Sequence, residues 1–159
     1  MDGLDHLIEQ NIADPNRLAI GGWSNGGFMA EWAITQTKRF KAAVGFAAPA
    51  DFQIMWAASS AASTILSSWG TPINARDTYD SHSPIHFVQN CATPMLILHG
   101  ETDPIVPITQ AYEFYRALKA LGVETDMVVY PREGHSLDEP AHQIDFQKRV
   151  LGWFEKYLK

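Results

Sequence analysis

Three residues of the chain have the side chains of a nucleophile, a general base and a carboxylate that orients the base. Ser24 lies in residues 22–26, which have the spacing G-x-S-x-G, and Asp103 and His135 follow in that order. A serine hydroxyl is a poor nucleophile until a base removes its proton. Imidazole is the side chain whose ordinary pKa lies nearest neutrality, and a carboxylate can hold its tautomer and stabilise the imidazolium. The set indicates acyl transfer to a serine.

The segment around the candidate serine is predicted to form a sharp turn between a strand and a helix. The short apolar run 17–20 precedes it, and a helical segment follows over 28–37. In that context the serine is expected at the apex of the turn, in a strained conformation. Gly22 and Gly26 are expected to be glycine because a Cβ at either place would clash with backbone. The backbone N–H of Asn25 is expected to donate to a developing oxyanion at the helix N-terminus.

The other two candidate residues also follow predicted strands. Asp103 comes after the apolar run 95–98, and His135 comes after the run 127–130. In a parallel sheet all the carboxyl ends of the strands lie at one edge, so both side chains are expected to converge on Ser24. The chain order Ser, Asp, His is the order of the α/β-hydrolase triad.

Each of these residues also has an ordinary structural interpretation. The G-x-S-x-G pattern can arise by chance in a turn, because glycine and serine are common there. Asp103 could cap the turn into Pro104, and His135 could be a turn histidine. Glu101 is a rival carboxylate, and His99 is interpreted as structural. The catalytic interpretation is favoured because the three candidates occur together, in that order and after those strands.

Strands and helices alternate along the chain, which predicts an α/β fold with a parallel sheet of about four strands and helices on both faces. Besides the elements above, helices are predicted for about the first ten residues, for 109–121 and for about 140–158, and a buried strand for 42–47. Segment 52–90 is irregular, with part of 54–62 helical, and is expected to cover one end of the sheet. The residues expected to face inward from the helices are Phe28, Met29, Trp32, Tyr112, Tyr115, Leu118, Leu121, Ile144, Leu151, Phe154 and Leu158.

Composition narrows the class of protein. The 159 residues are about the size of one domain, and a hydrophobic fraction of 46% is typical of a globular chain. A formal charge of -6 argues against a nucleic acid or an anionic membrane as partner. The single Cys91 excludes an internal disulfide, and Asp2 and Asp5 stand where a signal peptide would be basic, so a cytoplasmic location is expected. No His or Cys spacing and no glycine-rich loop indicates a metal or another cofactor, so none is expected.

Several segments together carry a resemblance to a known family. They are Asp14 to Gly27 (DPNRLAIGGWSNGG), Ser83-Pro84, His99 to Asp103 (HGETD) continuing through Val106-Pro107, Tyr112 to Leu118 (YEFYRAL) and Tyr130 to His135 (YPREGH). Nearly the whole chain resembles the C-terminal part of the catalytic domain of the prolyl oligopeptidase family, most closely its acylaminoacyl-peptidase branch. The resemblance implies a serine hydrolase of peptides or esters, with Ser24 as nucleophile, His135 as base and Asp103 as orienting carboxylate.

The chain also departs from that family's pattern. Family members carry an N-terminal β-propeller that restricts substrate size, and they have early strands of the hydrolase sheet; nothing here corresponds to either. Residues 1–159 are therefore expected to form a single truncated α/β-hydrolase domain that acts on small esters or short peptides. A second oxyanion donor usually comes from that other half, so only the N–H of Asn25 is accounted for. Losing one such donor typically costs ~100- to 1000-fold in turnover.

An open sheet edge leads to a further expectation. Residues 18–20, apolar on both faces, would lie at an edge of the sheet, where unpaired backbone groups invite association. A homodimer or higher homo-oligomer is therefore expected to form through this edge.

Two alternatives to the serine peptidase or esterase remain open from the sequence. The first is a dienelactone-hydrolase-like hydrolase of esters or lactones, a family that usually uses cysteine, whereas position 24 here is serine. The second is a non-catalytic, truncated hydrolase fragment that only folds or binds. The complete set of three candidate residues argues against the fragment, and the unaccounted oxyanion donor argues for it.

Overall fold

A four-stranded parallel sheet forms the centre of the structure. The computed structural model describes residues 1–159 except for the side chain of Ile65. The strands, in the order β1-β2-β3-β4, are Ala19–Trp23, Ala42–Phe46, Met95–Gly100 and Thr125–Tyr130. The register aligns Trp23 with Phe46, Ala43 with Met95, and Gly100 with Tyr130. The predicted α/β class and the four parallel strands are confirmed.

Helices cover both faces of the sheet, as predicted. They are α1 (Asp2–Glu9), α2 (Asn25–Gln36), α3 (Phe52–Ala58), α4 (Ala62–Ile65), α5 (Arg76–His82), the 3-10 helix Pro84–Asn90, α6 (Thr109–Ala120) and α7 (Pro140–Tyr157). Gly122, with a φ of 72°, ends the α6 segment as expected. No helix in the described part of the chain has the length and apolar character needed to cross a membrane.

Alternate residues of the two central strands build two separate cores. Ala43, Met95 and Ile97 point to one face, where they pack with residues of α2 and α6. Val44 and Leu96 point to the other face, where they pack with residues of α7. This alternation follows from the two-residue period of a strand, and burial on both faces explains why β2 and residues 95–98 of β3 are apolar.

Several side chains predicted to face inward are exposed instead. The exposed fractions are 49% for Met29, 39% for Tyr112, 45% for Leu121, 54% for Ile144 and 59% for Leu151. Spacing identifies an apolar stripe on a helix, but tertiary packing decides which stripe is covered. The buried residues are Gly27, Ala30, Glu31, Ile34 and Thr35 in α2, Gln110, Ala111, Phe114 and Leu118 in α6, and Trp153 in α7.

The segment between β2 and β3 is more regular than predicted, because most of it is helical. The carboxylate of Asp51 accepts the backbone N–H groups of Gln53 at 2.6 Å and Ile54 at 3.2 Å, which caps the start of α3. Met55 and Tyr79 of this segment are fully buried and belong to a third core. The segment therefore has a core of its own, and its short helices depend on that packing.

Strand β1 begins and ends later than its apolar run suggests. The prediction was 17–20, and the observed strand is Ala19–Trp23. Pairing with β2 continues through both glycines up to Trp23, so hydrogen bonding to the neighbour, and not apolar composition, sets its end. The consequence is that β1 runs directly into the turn that carries Ser24.

Candidate active site

The turn between β1 and α2 holds Ser24 in a backbone conformation that L-residues rarely adopt. Its φ is 57° and its ψ is -119°. The N–H of Ser24 donates to the carbonyl of Phe46 at 2.8 Å, and its own carbonyl accepts the N–H of Phe28 at 2.9 Å. These bonds to β2 and to α2 hold the strained residue in place. Strain of this kind is characteristic of a serine presented at the top of a sheet.

Two glycines of the turn are required by close contacts, and one is not. A Cβ on Gly22 would lie 2.3 Å from the carbonyl carbon of Gly26, and a Cβ on Gly27 would lie 2.8 Å from the Cβ of Ala48. A Cβ on Gly26 would meet nothing within 4 Å. The prediction of a clash at Gly26 is therefore wrong: the contact is one-sided, because Gly22 points at the backbone of Gly26 and Gly26 points away.

The three sequence-predicted side chains lie within hydrogen-bonding distance of one another. The hydroxyl of Ser24 lies 2.9 Å from Nε2 of His135, and Nδ1 of the same imidazole lies 2.8 Å from Oδ2 of Asp103. Asp103 is buried, while Ser24 and His135 are partly exposed. The site is therefore open to solvent at the hydroxyl end and closed at the carboxylate end.

Backbone N–H groups orient the carboxylate of Asp103. Its Oδ1 accepts the N–H of Ile105 at 2.8 Å and the N–H of Val106 at 2.9 Å, which leaves Oδ2 directed at His135. The rival carboxylate of Glu101 is exposed and accepts the N–H of Arg132 at 3.2 Å. Asp103, and not Glu101, therefore lies against the imidazole.

His99 lies behind the carboxylate of Asp103 and is fully buried. Its Nε2 donates to the carbonyl of Val106 at 2.8 Å and lies 3.6 Å from Oδ2 of Asp103. Nδ1 of His99 has no partner among the described side chains. Burial lowers the pKa of His99, so a neutral ring with its proton on Nε2 fits these contacts. The structural interpretation of His99 agrees with this geometry, and the residue supports the turn that presents Asp103.

The loop that carries His135 packs closely on the end of β3. A Cβ on Gly100 would lie 2.0 Å from the carbonyl oxygen of Gly134, so only glycine fits there. The backbone N–H of Thr102 and its hydroxyl both donate to the carbonyl of Glu133 at 2.9 Å. The acid loop and the histidine loop are thereby joined to each other through backbone groups.

The side chain of Glu133 joins the same loop to α7. The carboxylate accepts the backbone N–H groups of Asp138 at 2.7 Å and Glu139 at 2.9 Å, and Nδ1 of His142 at 2.7 Å. The N–H of Asp138 contributes most to lowering the pKa of Glu133. Sequence reasoning did not single out Glu133; its place directly before Gly134 and His135 was the available signal.

One group of side chains has the composition of a metal site. Ligand atoms of Glu133, Glu139 and His142 lie within 4.8 Å of one another. However, both oxygens of Glu133 already accept hydrogen bonds, one of them from His142, and Arg132 bonds both oxygens of Glu139 at 2.8 Å. These groups satisfy one another, and their role is to fix the histidine loop on α7.

The expected oxyanion donor stands beside the serine. Asn25 is the first residue of α2, so its N–H has no carbonyl partner within the helix. The N-terminal end of the helix also directs partial positive charge towards the position of Ser24. The geometry can therefore support negative charge next to the hydroxyl.

Comparisons with known proteins identify the family to which the chain belongs. The profile of the prolyl oligopeptidase family matches residues 1–159. The uncharacterized peptidase YuxL of Bacillus subtilis is 34% identical over 165 residues, which cover 99% of this chain and 25% of the relative. The acylamino-acid-releasing enzyme of Arabidopsis thaliana is 33% identical over 171 residues, which cover 98% of this chain and 22% of the relative.

Solved structures agree with the sequence relatives. The uncomplexed acylaminoacyl peptidase of Pyrococcus horikoshii superposes with a TM-score of 0.92 at 28% identity, over 98% of this chain and 26% of that one. A puromycin-hydrolyzing peptidase of Mycobacterium tuberculosis gives a TM-score of 0.92 at 29% identity, over 98% of this chain and 24% of that one. The chain thus spans about a quarter of the length of the relatives it matches.

Proposed function

This chain belongs to the prolyl oligopeptidase family, and on that premise we propose that it carries the catalytic site of a serine hydrolase that cleaves peptide or ester bonds. The observation that carries the proposal is the pair of hydrogen bonds from Ser24 to His135 at 2.9 Å and from His135 to Asp103 at 2.8 Å. A nucleophile in contact with a base, and a base in contact with an orienting group, is the geometry that this chemistry requires.

The first half of the reaction forms an acyl-enzyme. The oxygen of Ser24 attacks the carbonyl carbon of the substrate, and its proton passes to Nε2 of His135. Asp103 keeps the proton of the imidazole on Nδ1, so Nε2 is free to accept, and its charge stabilises the imidazolium that forms. The tetrahedral adduct collapses as His135 returns the proton to the leaving amine or alcohol.

The second half repeats these steps with water as the nucleophile. A water molecule gives one proton to Nε2 of His135 and adds its oxygen to the acyl carbon. The proton then returns to the oxygen of Ser24 as the acid product leaves, which restores the starting state. The N–H of Asn25 donates to the oxyanion in both halves of the reaction. A second donor to the oxyanion would have to come from a residue other than those named above.

The proposed substrates are N-acylated or short peptides and small esters. Relatives named acylamino-acid-releasing enzyme and dipeptidyl-peptidase 5 favour peptide substrates over lactones. The partly exposed hydroxyl of Ser24 is accessible to such small substrates. Ester bonds are included because an activated serine attacks an ester more readily than an amide.

Hydrolysis assays test this proposal. N-acetyl-amino-acid and dipeptidyl p-nitroanilides, together with short-chain p-nitrophenyl esters, should release chromophore with the parent protein and not with Ser24→Ala. Rates should rise with pH across the range in which an imidazole loses its proton. Folded protein that turns over none of these compounds would favour the non-catalytic alternative.

A further inference from the structure

The nucleophile and the base come from opposite edges of the sheet. Ser24 follows β1 and His135 follows β4, and β2 and β3 lie between those strands. The histidine loop must therefore extend across the ends of two strands to reach the serine. The contacts of Gly100, Thr102 and Glu133 fix this loop at β3 and α7, on its own side of the sheet.

Trp23, the residue before the serine, reaches the far end of that loop. Its indole Nε1 donates to the backbone carbonyl of His135 at 2.7 Å. Its ring lies with its centroid 5.3 Å from that of the imidazole, at an interplanar angle of 41°. The residue is nevertheless 53% exposed, so burial alone does not account for its position.

We propose that Trp23 is a positioning residue that holds the imidazole of His135 over Ser24. The indole bond fixes the backbone of the histidine itself, and the indole ring restricts rotation of the imidazole. Because Trp23 and Ser24 are adjacent in the chain, the group that holds the base moves together with the nucleophile. The distance between the hydroxyl of Ser24 and the imidazole of His135 is then set by Trp23 and does not depend on the rigidity of the whole sheet.

Two other roles for Trp23 predict different results. The ring also forms a wall of an apolar cavity of about 350 Å³ together with Phe46, Leu137 and Phe146. A packing role in that wall predicts lower stability with unchanged kinetics per folded molecule. A role as a substrate contact predicts a higher KM with kcat unchanged. A positioning role predicts a lower kcat with KM nearly unchanged.

The test compares Trp23→Phe, Trp23→Leu and the control Trp153→Phe. Trp153 is a suitable control because its indole N–H has no partner among the described residues. The Phe variant at position 23 removes the hydrogen bond and keeps an aromatic ring, and the Leu variant removes both. Thermal unfolding and light scattering establish that each variant is folded and in the parent's assembly state.

The first readout requires no turnover. The proton between Nδ1 of His135 and Oδ2 of Asp103, which lie 2.8 Å apart, should give a strongly deshielded NMR signal. The rate at which this proton exchanges with water would report how firmly the histidine loop is held. Exchange should be faster in both Trp23 variants than in the parent and in Trp153→Phe. Because this signal does not depend on hydrolysis, it separates failure of this inference from failure of the proposed function, on which the kinetic readouts rest.

The kinetic readouts are reaction of Ser24 with a fluorophosphonate and steady-state turnover. Loss of one hydrogen bond should slow both the labelling rate and kcat about tenfold in Trp23→Phe, with KM within about twofold. Exchange and kinetics equal to those of Trp153→Phe, or a change in KM alone, would overturn the inference.

Discussion

Replacing Asp103 by asparagine should greatly lower turnover without unfolding the protein, because of the hydrogen bonds that the carboxylate accepts. Two backbone N–H groups, from Ile105 and Val106, point at Oδ1. They require an oxygen there, so the amide NH2 of the asparagine must take the place of Oδ2 and face His135. That NH2 donates to Nδ1 of the imidazole, which places the ring proton on Nε2, where it cannot accept from Ser24.

The expected loss of turnover follows from the free energy needed to turn the amide of the asparagine to its opposite orientation. Turning the amide to present its oxygen to His135 would leave two backbone donors unsatisfied, at about 1–3 kcal/mol each. The active orientation is then disfavoured by about 2–6 kcal/mol, which lowers turnover about 30-fold to more than 10,000-fold.

The assay measures kcat for an activated ester together with the unfolding temperature of each variant. Glu101→Gln is the matched control, because this exposed carboxylate accepts the N–H of Arg132 and does not contact the imidazole. Near-normal turnover of Asp103→Asn, with severe loss in Glu101→Gln, would refute this reasoning.

Three further predictions concern the turn, the buried acid and the sheet edge. Gly22→Ala should lose fluorophosphonate labelling of Ser24 and unfold at a lower temperature, because the added Cβ would lie 2.3 Å from the backbone carbonyl carbon of Gly26. Gly26→Ala should change neither measurement, because a Cβ there would meet nothing within 4 Å. Burial, and secondly the charge of Glu113, raise the pKa of Glu31, so this acid stabilises the fold below its ordinary pKa and loses that contribution as pH rises. Glu31→Gln should therefore raise the unfolding temperature more at pH 8 than at pH 5. An equal gain at both pH values would contradict the raised pKa of Glu31. In the described chain β1 pairs only with β2, so we propose that its free edge forms a homodimer or higher homo-oligomer. Light scattering that shows an active monomer at low micromolar concentration would contradict this proposal of self-association.

Local pattern and strand order were sufficient to predict the main features of the fold and the proximity of the three candidate residues. Ser24, Asp103 and His135 each follow an apolar run that became a parallel strand, and the carboxyl ends of such strands share one edge. Their order in the chain therefore carried three-dimensional information. The sequence did not need to specify any long-range distance for this prediction to succeed.

Features that depend on packing were not predictable in the same way. Ile144 and Leu151 have helical spacing and are exposed, because α7 turns a different side, including Trp153, to the sheet. The bond from Trp23 to His135 joins residues 112 positions apart, and no local pattern marks it. The burial of His99 behind Asp103 likewise depends on how the turn after β3 folds back, which strand periodicity does not describe.

Covalent labelling of Ser24 tests the central claim most directly. Intact-mass analysis after reaction with a fluorophosphonate should show one adduct per chain, located on the peptide that contains residue 24. The adduct should be absent in Ser24→Ala and should form far more slowly in His135→Ala, because the hydroxyl lies 2.9 Å from the imidazole that activates it. An adduct that persists in folded Ser24→Ala protein, or no adduct in the folded parent, would contradict the assignment of Ser24 as nucleophile.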